Sequence, residues 1–196
     1  GSDNIKRDAF TNALLDTMIK CHSMEYHLGN FKELERQHIS LIESNKGGIT
    51  HAHNLLFEFE AFLFQLKSAL DIGTKIIGIL IPNRFKTKTF AQKGEYLERG
   101  LEQYERDHSA KPELPKALRE MLKADREKWL ELAINLRDTI SHYRTFADFK
   151  YQIVTTQNEK TVQKPTFSGL TPIEYMELSY RNCLEFLQDF ICLSIG

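Results

Sequence analysis

The chain has 196 residues, of which 41% are hydrophobic and 27% charged, with a formal net charge of −1. These are the proportions of an ordinary globular protein with enough chain for one self-sufficient core. The near-neutral balance excludes wholesale electrostatic capture of nucleic acid, so RNA contact would need a local basic patch.

Gly1-Ser2 reads as an expression scar, leaving a single domain over residues 3–196. The first residues lack the pattern of a secretory leader, which makes cytoplasmic the expected location. A first helix is predicted from Asn4 to Cys21, with Phe10, Leu14, Leu15 and Met18 at core spacing. A second covers about Phe31 to Ser44 and stops at "NKGG", after which Thr50 can cap the next. That third helix, about 51–80, is the most apolar, with Leu56, Phe59, Leu63, Leu66, Leu70 and Ile77 as a central stave. Charges at Glu58, Glu60, Lys67, Asp71 and Lys75 rule it out as a membrane span. Lys67, Asp71 and Lys75 fall on one wet stripe. Phe57, Phe59, Phe62 and Phe64 read as core, with a dimer core as one form of it. In "THAH", His51 and His53 have no further metal ligands evident nearby and read as a solvated helix entry.

"PNRFKTKTF" (82–90) is a basic loop whose aromatic interleaving suits either a plain connection or single-stranded RNA. Helices follow over about 91–106 and 115–144, with Pro115 at an early position of the latter. Alternation in "FKYQIVTT" and the return "TVQKPTF" predict a small β-hairpin insert within 147–168, its second strand kept to an edge by Pro165. "TPIE" then opens the last helix: Thr171 as cap, Pro172 in the first position, Glu174 closing a capping box, and Leu170 with Tyr175 as a hydrophobic staple. Leu184, Leu187 and Ile191 continue its apolar face. Three cysteines, Cys21, Cys183 and Cys192, show no metal-ligand spacing, and their odd number argues against a disulfide framework; Cys183 and Cys192 read as buried thiols. The fold class is an all-α, up-and-down helical bundle with a β-hairpin before its last helix.

"NLRDTISHYRTF" (135–146) is the stretch with chemistry in it. With Arg137 set at zero, Ser141, Asp138 and His142 fall at roughly 40°, 100° and 140° around the helix. Trp129, Leu132, Ala133, Leu136, Ile140 and Tyr143 take the opposite, core side. The polar face is either an ordinary solvated one, with Asp138 and His142 as an i, i+4 surface pair, or a catalytic constellation. Asp71 on the third helix either orients Arg137 or pairs with Lys67 or Lys75.

"RDTISH" on a helix late in an all-α bundle resembles the Arg-x4-6-His signature of HEPN (higher eukaryote and prokaryote nucleotide-binding) domains. A small polar residue after the arginine (Asp138), the "HY" ending (Tyr143) and the apolar "FLFQLKSALD" helix are also similar to that family. The resemblance implies a metal-independent endoribonuclease, with no cofactor and no metal, acting as a homodimer through the motif helix. RNA would be its substrate and an antitoxin protein a partner, in a prokaryotic defence, stress or toxin–antitoxin setting. It assigns His142 as base toward a ribose 2′-hydroxyl and Arg137 as the phosphate clamp, a role that suits a bidentate guanidinium. Asp138 and Ser141 would be supporting residues. Arg144 stands where some family toxins carry a modified tyrosine, and is either a phosphate contact or a solvated helix-end cation. The alternative is a non-catalytic HEPN-like module for RNA or nucleotide binding, or for protein assembly.

Overall fold

A 43-residue helix, α1 (Ser2–Ser44), opens the chain in a computed structural model that describes residues 2–44, 49–80, 89–107, 113–141, 149–155 and 160–195. The two helices expected here are one. Ala13, Thr17, Met24, Leu28, Phe31 and Ile42 form a continuous buried stripe that runs straight past the exposed Gly29. A mid-helix glycine costs about 1 kcal/mol, less than the burial of Leu28 and Phe31 returns at about 1.5–3 kcal/mol each. Leu15 and Met18, expected in the core, are exposed instead.

α2 (His53–Leu80) lies antiparallel to α1, as the Lys20–Gln65 hydrogen bond (3.0 Å) and the His27–Glu58 pair (2.7 Å) require. It is the central stave: Phe59, Phe62, Leu63, Leu66, Leu70 and Ile77 are buried. Phe57 and Phe64 are not, which corrects the reading of all four phenylalanines as core. A tight turn, Ala91–Gly94, leads into α3 (Glu95–Asp107), which packs against α4 (Glu113–Asp125). Pro115 stands in the first turn of α4, and Arg126–Leu130 makes a π turn that joins it to α5 (Glu131–Ser141). The last helix, α6 (Pro172–Ile195), covers α1 and α2. Its capping box forms as expected: the Thr171 backbone N–H and hydroxyl donate to Glu174 Oε2 at 2.8 and 2.7 Å. Cys183 is buried on α6 but Cys192, two and a half turns further on and so on the opposite side, is exposed. No helix among the described residues is long and apolar enough to cross a membrane.

The hairpin is present as β2 (Lys150–Thr155) and β3 (Lys160–Gln163), paired Ile153 to Val162. An unexpected third strand, β1 (Ile49–His51), adds antiparallel to β2 with Thr50 opposite Tyr151. Thr50 is therefore a strand residue and not the cap of α2, whose first turn closes instead on Ala52, its carbonyl accepting from Leu56 N–H at 3.0 Å. Three residues are too short a run for periodicity to reveal, but a lone two-stranded hairpin is marginal and the added strand supports it. The sheet sits over an aromatic cluster in which Phe59 stacks on Phe167 at 4.8 Å and Phe149 meets Phe31 and Phe59.

Candidate functional site around Arg137

α5 carries the stretch that holds the site residues. On the core side Trp129, Leu130, Ala133 and Ile134 are buried, with Leu132 and Leu136 partly so. Leu130 and Ile134 sit close to Arg137 in helical angle, so the polar face is narrower than a half-buried helix gives. Arg137 emerges at the edge of that buried strip, with its side chain about one-third exposed at 31%.

Two contacts fix the guanidinium. Its carbon lies 5.4 Å from the centre of the Phe64 ring on α2, a cation–π distance. Nη1 donates to Asp138 Oδ1 at 2.8 Å. Nε is buried with no hydrogen-bond partner among the described residues. An unpaired buried donor costs about 1–3 kcal/mol, and such groups call for an explanation of their own. Phe64 is exposed enough to offer its ring to the cation. Glu60, one turn earlier on α2, has its carboxyl pushed upward by burial.

Asp71 does not orient Arg137. Its Oδ1 accepts from Lys67 Nζ at 2.5 Å and from the Phe90 backbone N–H at 2.6 Å, so it ties α2 to the chain entering α3. That second bond also takes Lys67 and Asp71 off the fully wet stripe expected of them: their side chains are 12% and 28% exposed. Beside it, Gln92, Lys93 and Gly94 adopt positive φ of 48°, 55° and 83° in succession. Arg126, first residue of the π turn, holds this strained turn by donating from Nε to the Lys93 carbonyl at 3.1 Å and from Nη2 to Glu98 at 2.6 Å. Lys93 in turn reaches Glu131 at 2.6 Å. The entry to the motif helix is thereby clamped from two sides.

Arg137 and Asp138 are brought together; Ser141 is the last residue of α5. His142, Tyr143 and Arg144 lie outside the described residues, as does most of the basic loop 82–90. Sequence reasoning missed Phe64 as the platform. Its i, i+7 spacing from Phe57, on a side of α2 different from that of Phe59 and Phe62, was the available signal.

A second cluster was not foreseen at all. Glu35 on α1 is buried, and accepts from the Tyr151 hydroxyl and from Lys164 Nζ, both at 2.6 Å. Burial first, then the Glu35 bond and charge, push the Tyr151 hydroxyl far above its ordinary range. The His38 ring stands edge-on to Tyr151 at 5.2 Å and is shifted downward, mainly by burial. Leu34, Gln37, His38, Leu41 and the start of α2 line a cavity of about 320 Å³ beside it. This cluster pins the sheet to α1. No protein-family model, no curated protein and no solved structure matches this chain.

Proposed function

We propose that the protein is a metal-independent endoribonuclease of HEPN type, working as a homodimer through the motif helix in a prokaryotic defence, stress or toxin–antitoxin setting. The observation that carries this reading is Arg137: a guanidinium held at cation–π distance from Phe64, tethered by Asp138, and left with a hydrogen-bond donor unpaired. Such a group is preorganised for an anion, since Phe64 and Asp138 hold it in place before a phosphate arrives. His142 follows the last residue of α5 in the sequence. Its imidazole would remove the 2′-hydroxyl proton, the 2′-oxygen would attack the adjacent phosphorus, and the 5′-oxygen would leave with a proton from the imidazole of the second copy. The products are a 2′,3′-cyclic phosphate and a 5′-hydroxyl. Arg137 would stabilise the charge gathering on the phosphoryl oxygens.

Purified protein is expected to cut single-stranded RNA in excess EDTA. Arg137→Ala and His142→Ala should each reduce cutting by at least about 100-fold without changing the helical circular-dichroism spectrum. The competing reading is a non-catalytic HEPN-like module that binds RNA or nucleotide or mediates assembly. The closed Arg137–Asp138 pair favours it, because a carboxylate on the guanidinium already occupies one donor. Wild type as inert as both variants, with RNA still bound, would decide for the module and against the nuclease.

A further inference from the structure

α1 has two apolar faces, and the fold uses one. Written in sevens, its core side is Ala13, Thr17, Met24, Leu28 and Phe31, all buried. The opposite side carries Ile5, Leu15, Met18, Ile19 and Tyr26, exposed at 71, 51, 60, 59 and 62%. Ile5, Asn12, Ile19 and Tyr26 recur at strict seven-residue spacing, and Asp8, Leu15, His22 and Gly29 stand three residues after each. This is the a/d spacing of a coiled-coil seam with a lining half apolar and half polar or glycine, laid on the solvent side of a helix that already has a core behind it. The stretch from Ile5 to Tyr26 spans about 32 Å of helix. Apart from Ile5, its exposed apolar residues gather from the midpoint onward, Leu15, Met18, Ile19 and Tyr26, and such exposed apolar patches mark interaction sites.

We propose that a second copy of this chain docks on this seam, α1 against α1, antiparallel about a twofold axis level with Thr17. The residues themselves select that partner and that direction. Antiparallel pairing sets Leu15 of each copy against Ile19 of the other at the centre, with the two Met18 side chains meeting at one edge. Next outward, Asn12 faces His22, and beyond them Asp8 faces Tyr26, so each polar residue on the seam meets a hydrogen-bonding complement, twice by symmetry. Only the Asp16 carboxylates meet a like charge, and they do so at the wet rim. Parallel pairing would instead stack Asp8 on Asp8 and His22 on His22. Present partners of the polar residues are weak: Arg7 stands 4.0 Å from Asp8 and Glu25 stands 3.5 Å from His22, all of them well exposed. The seam uses α1 alone and is independent of the nuclease reading, since Arg137 belongs to α5.

Sedimentation or light scattering of the full chain, alongside Leu15→Asp and Ile19→Asp, tests the docking. Both positions are exposed, so the variants should keep the wild-type helical circular-dichroism spectrum. Their stoichiometry is expected to be half that of wild type: dimer to monomer, or tetramer to dimer if copies also pair through the motif helix. A monomeric wild type, or variants that keep the wild-type stoichiometry, would overturn the proposal. Direction is read in a Cys21→Ser, Cys192→Ser background with oxidised glutathione as the oxidant. The pair Asn12→Cys with His22→Cys should give a disulfide-linked dimer, two thiols being oxidised as one glutathione disulfide is reduced. A linked dimer from Asn12→Cys alone would mean parallel pairing and refute the antiparallel seam.

Discussion

Replacing Glu35 by alanine tests a buried carboxylate whose partners are Tyr151 on β2 and Lys164 just past β3. The substitution removes one methylene, about 0.8 kcal/mol, together with the carboxylate, and strands the Tyr151 hydroxyl, an unpaired buried donor worth about 1–3 kcal/mol. Against this stands the relief of carboxylate desolvation, which offsets part of the loss. Lys164 adds little, because its side chain is already 32% exposed and can turn to water. The net expectation is about 1–3 kcal/mol of destabilisation. Tyr151→Phe removes the same hydrogen bond from the other end and should cost about 1.5–3 kcal/mol, the range for a bond to a charged acceptor. The double variant should therefore cost less than the two singles together, by at least about 1 kcal/mol. Urea unfolding followed by circular dichroism measures all four corners of the cycle. Additivity within about 0.3 kcal/mol, or a Glu35→Ala loss under about 0.5 kcal/mol, would refute the claim that this network holds the sheet to α1.

Thr171→Ala should lower stability by about 1 kcal/mol, because the helix start loses the hydroxyl that accepts from the Glu174 N–H; thermal melting reads it. Gly94→Ala should destabilise by about 1–3 kcal/mol, since its φ is +83° and a Cβ would stand 2.8 Å from the Phe90 ring. Gly29→Ala should do the reverse, gaining about 0.5–1 kcal/mol, as it lies inside α1 with nothing within 4 Å of an added Cβ. At high pH the raised Tyr151 pKa fixes the sign. The folded chain keeps a proton that the unfolded chain loses above its ordinary value of about 10. Stability is whole below that pH and falls as pH rises beyond it, approaching about 1.4 kcal/mol per pH unit from this group. Urea midpoints measured between pH 9 and pH 11 (roughly the window set by the tyrosine value) should fall less steeply in Tyr151→Phe.

The bundle, the hairpin and the capping box were legible because each rests on signals carried within a few residues. "TPIE" completes a box at three-residue spacing, and "FKYQIVTT" alternates at a period of two. Errors arose where the outcome depends on distant segments. The residues between Cys21 and Phe31 fall outside both predicted helices, yet Met24, Leu28 and Phe31 have α2 and α6 to bury them and the helix runs on. Asp71 was placed by its helix face toward two alternatives, a lysine or Arg137; the Phe90 N–H that it also binds comes from a chain reversal no periodicity encodes. Phe64 and Phe57 share composition with Phe59 and Phe62, so counting aromatics could not separate platform from core.

α1 violates the one-face rule for a surface helix twice, and the two violations have the same logic. Inside, it carries a charge, Glu35, at a position that should be apolar; outside, it carries Leu15, Met18, Ile19 and Tyr26 where polar residues belong. Each conflict is locally unfavourable and is resolved only by a partner absent from the helix itself. For Glu35 the partners are Tyr151 and Lys164, 116 and 129 positions along the chain, and their arrival turns a buried charge into a bonded one. A natural sequence whose levels agree elsewhere rarely leaves a conflict standing. By that reasoning the outer stripe also has a partner, and the polar complements that α1 offers to its own reversed image, Asn12 to His22 and Asp8 to Tyr26, make a second α1 the one that fits.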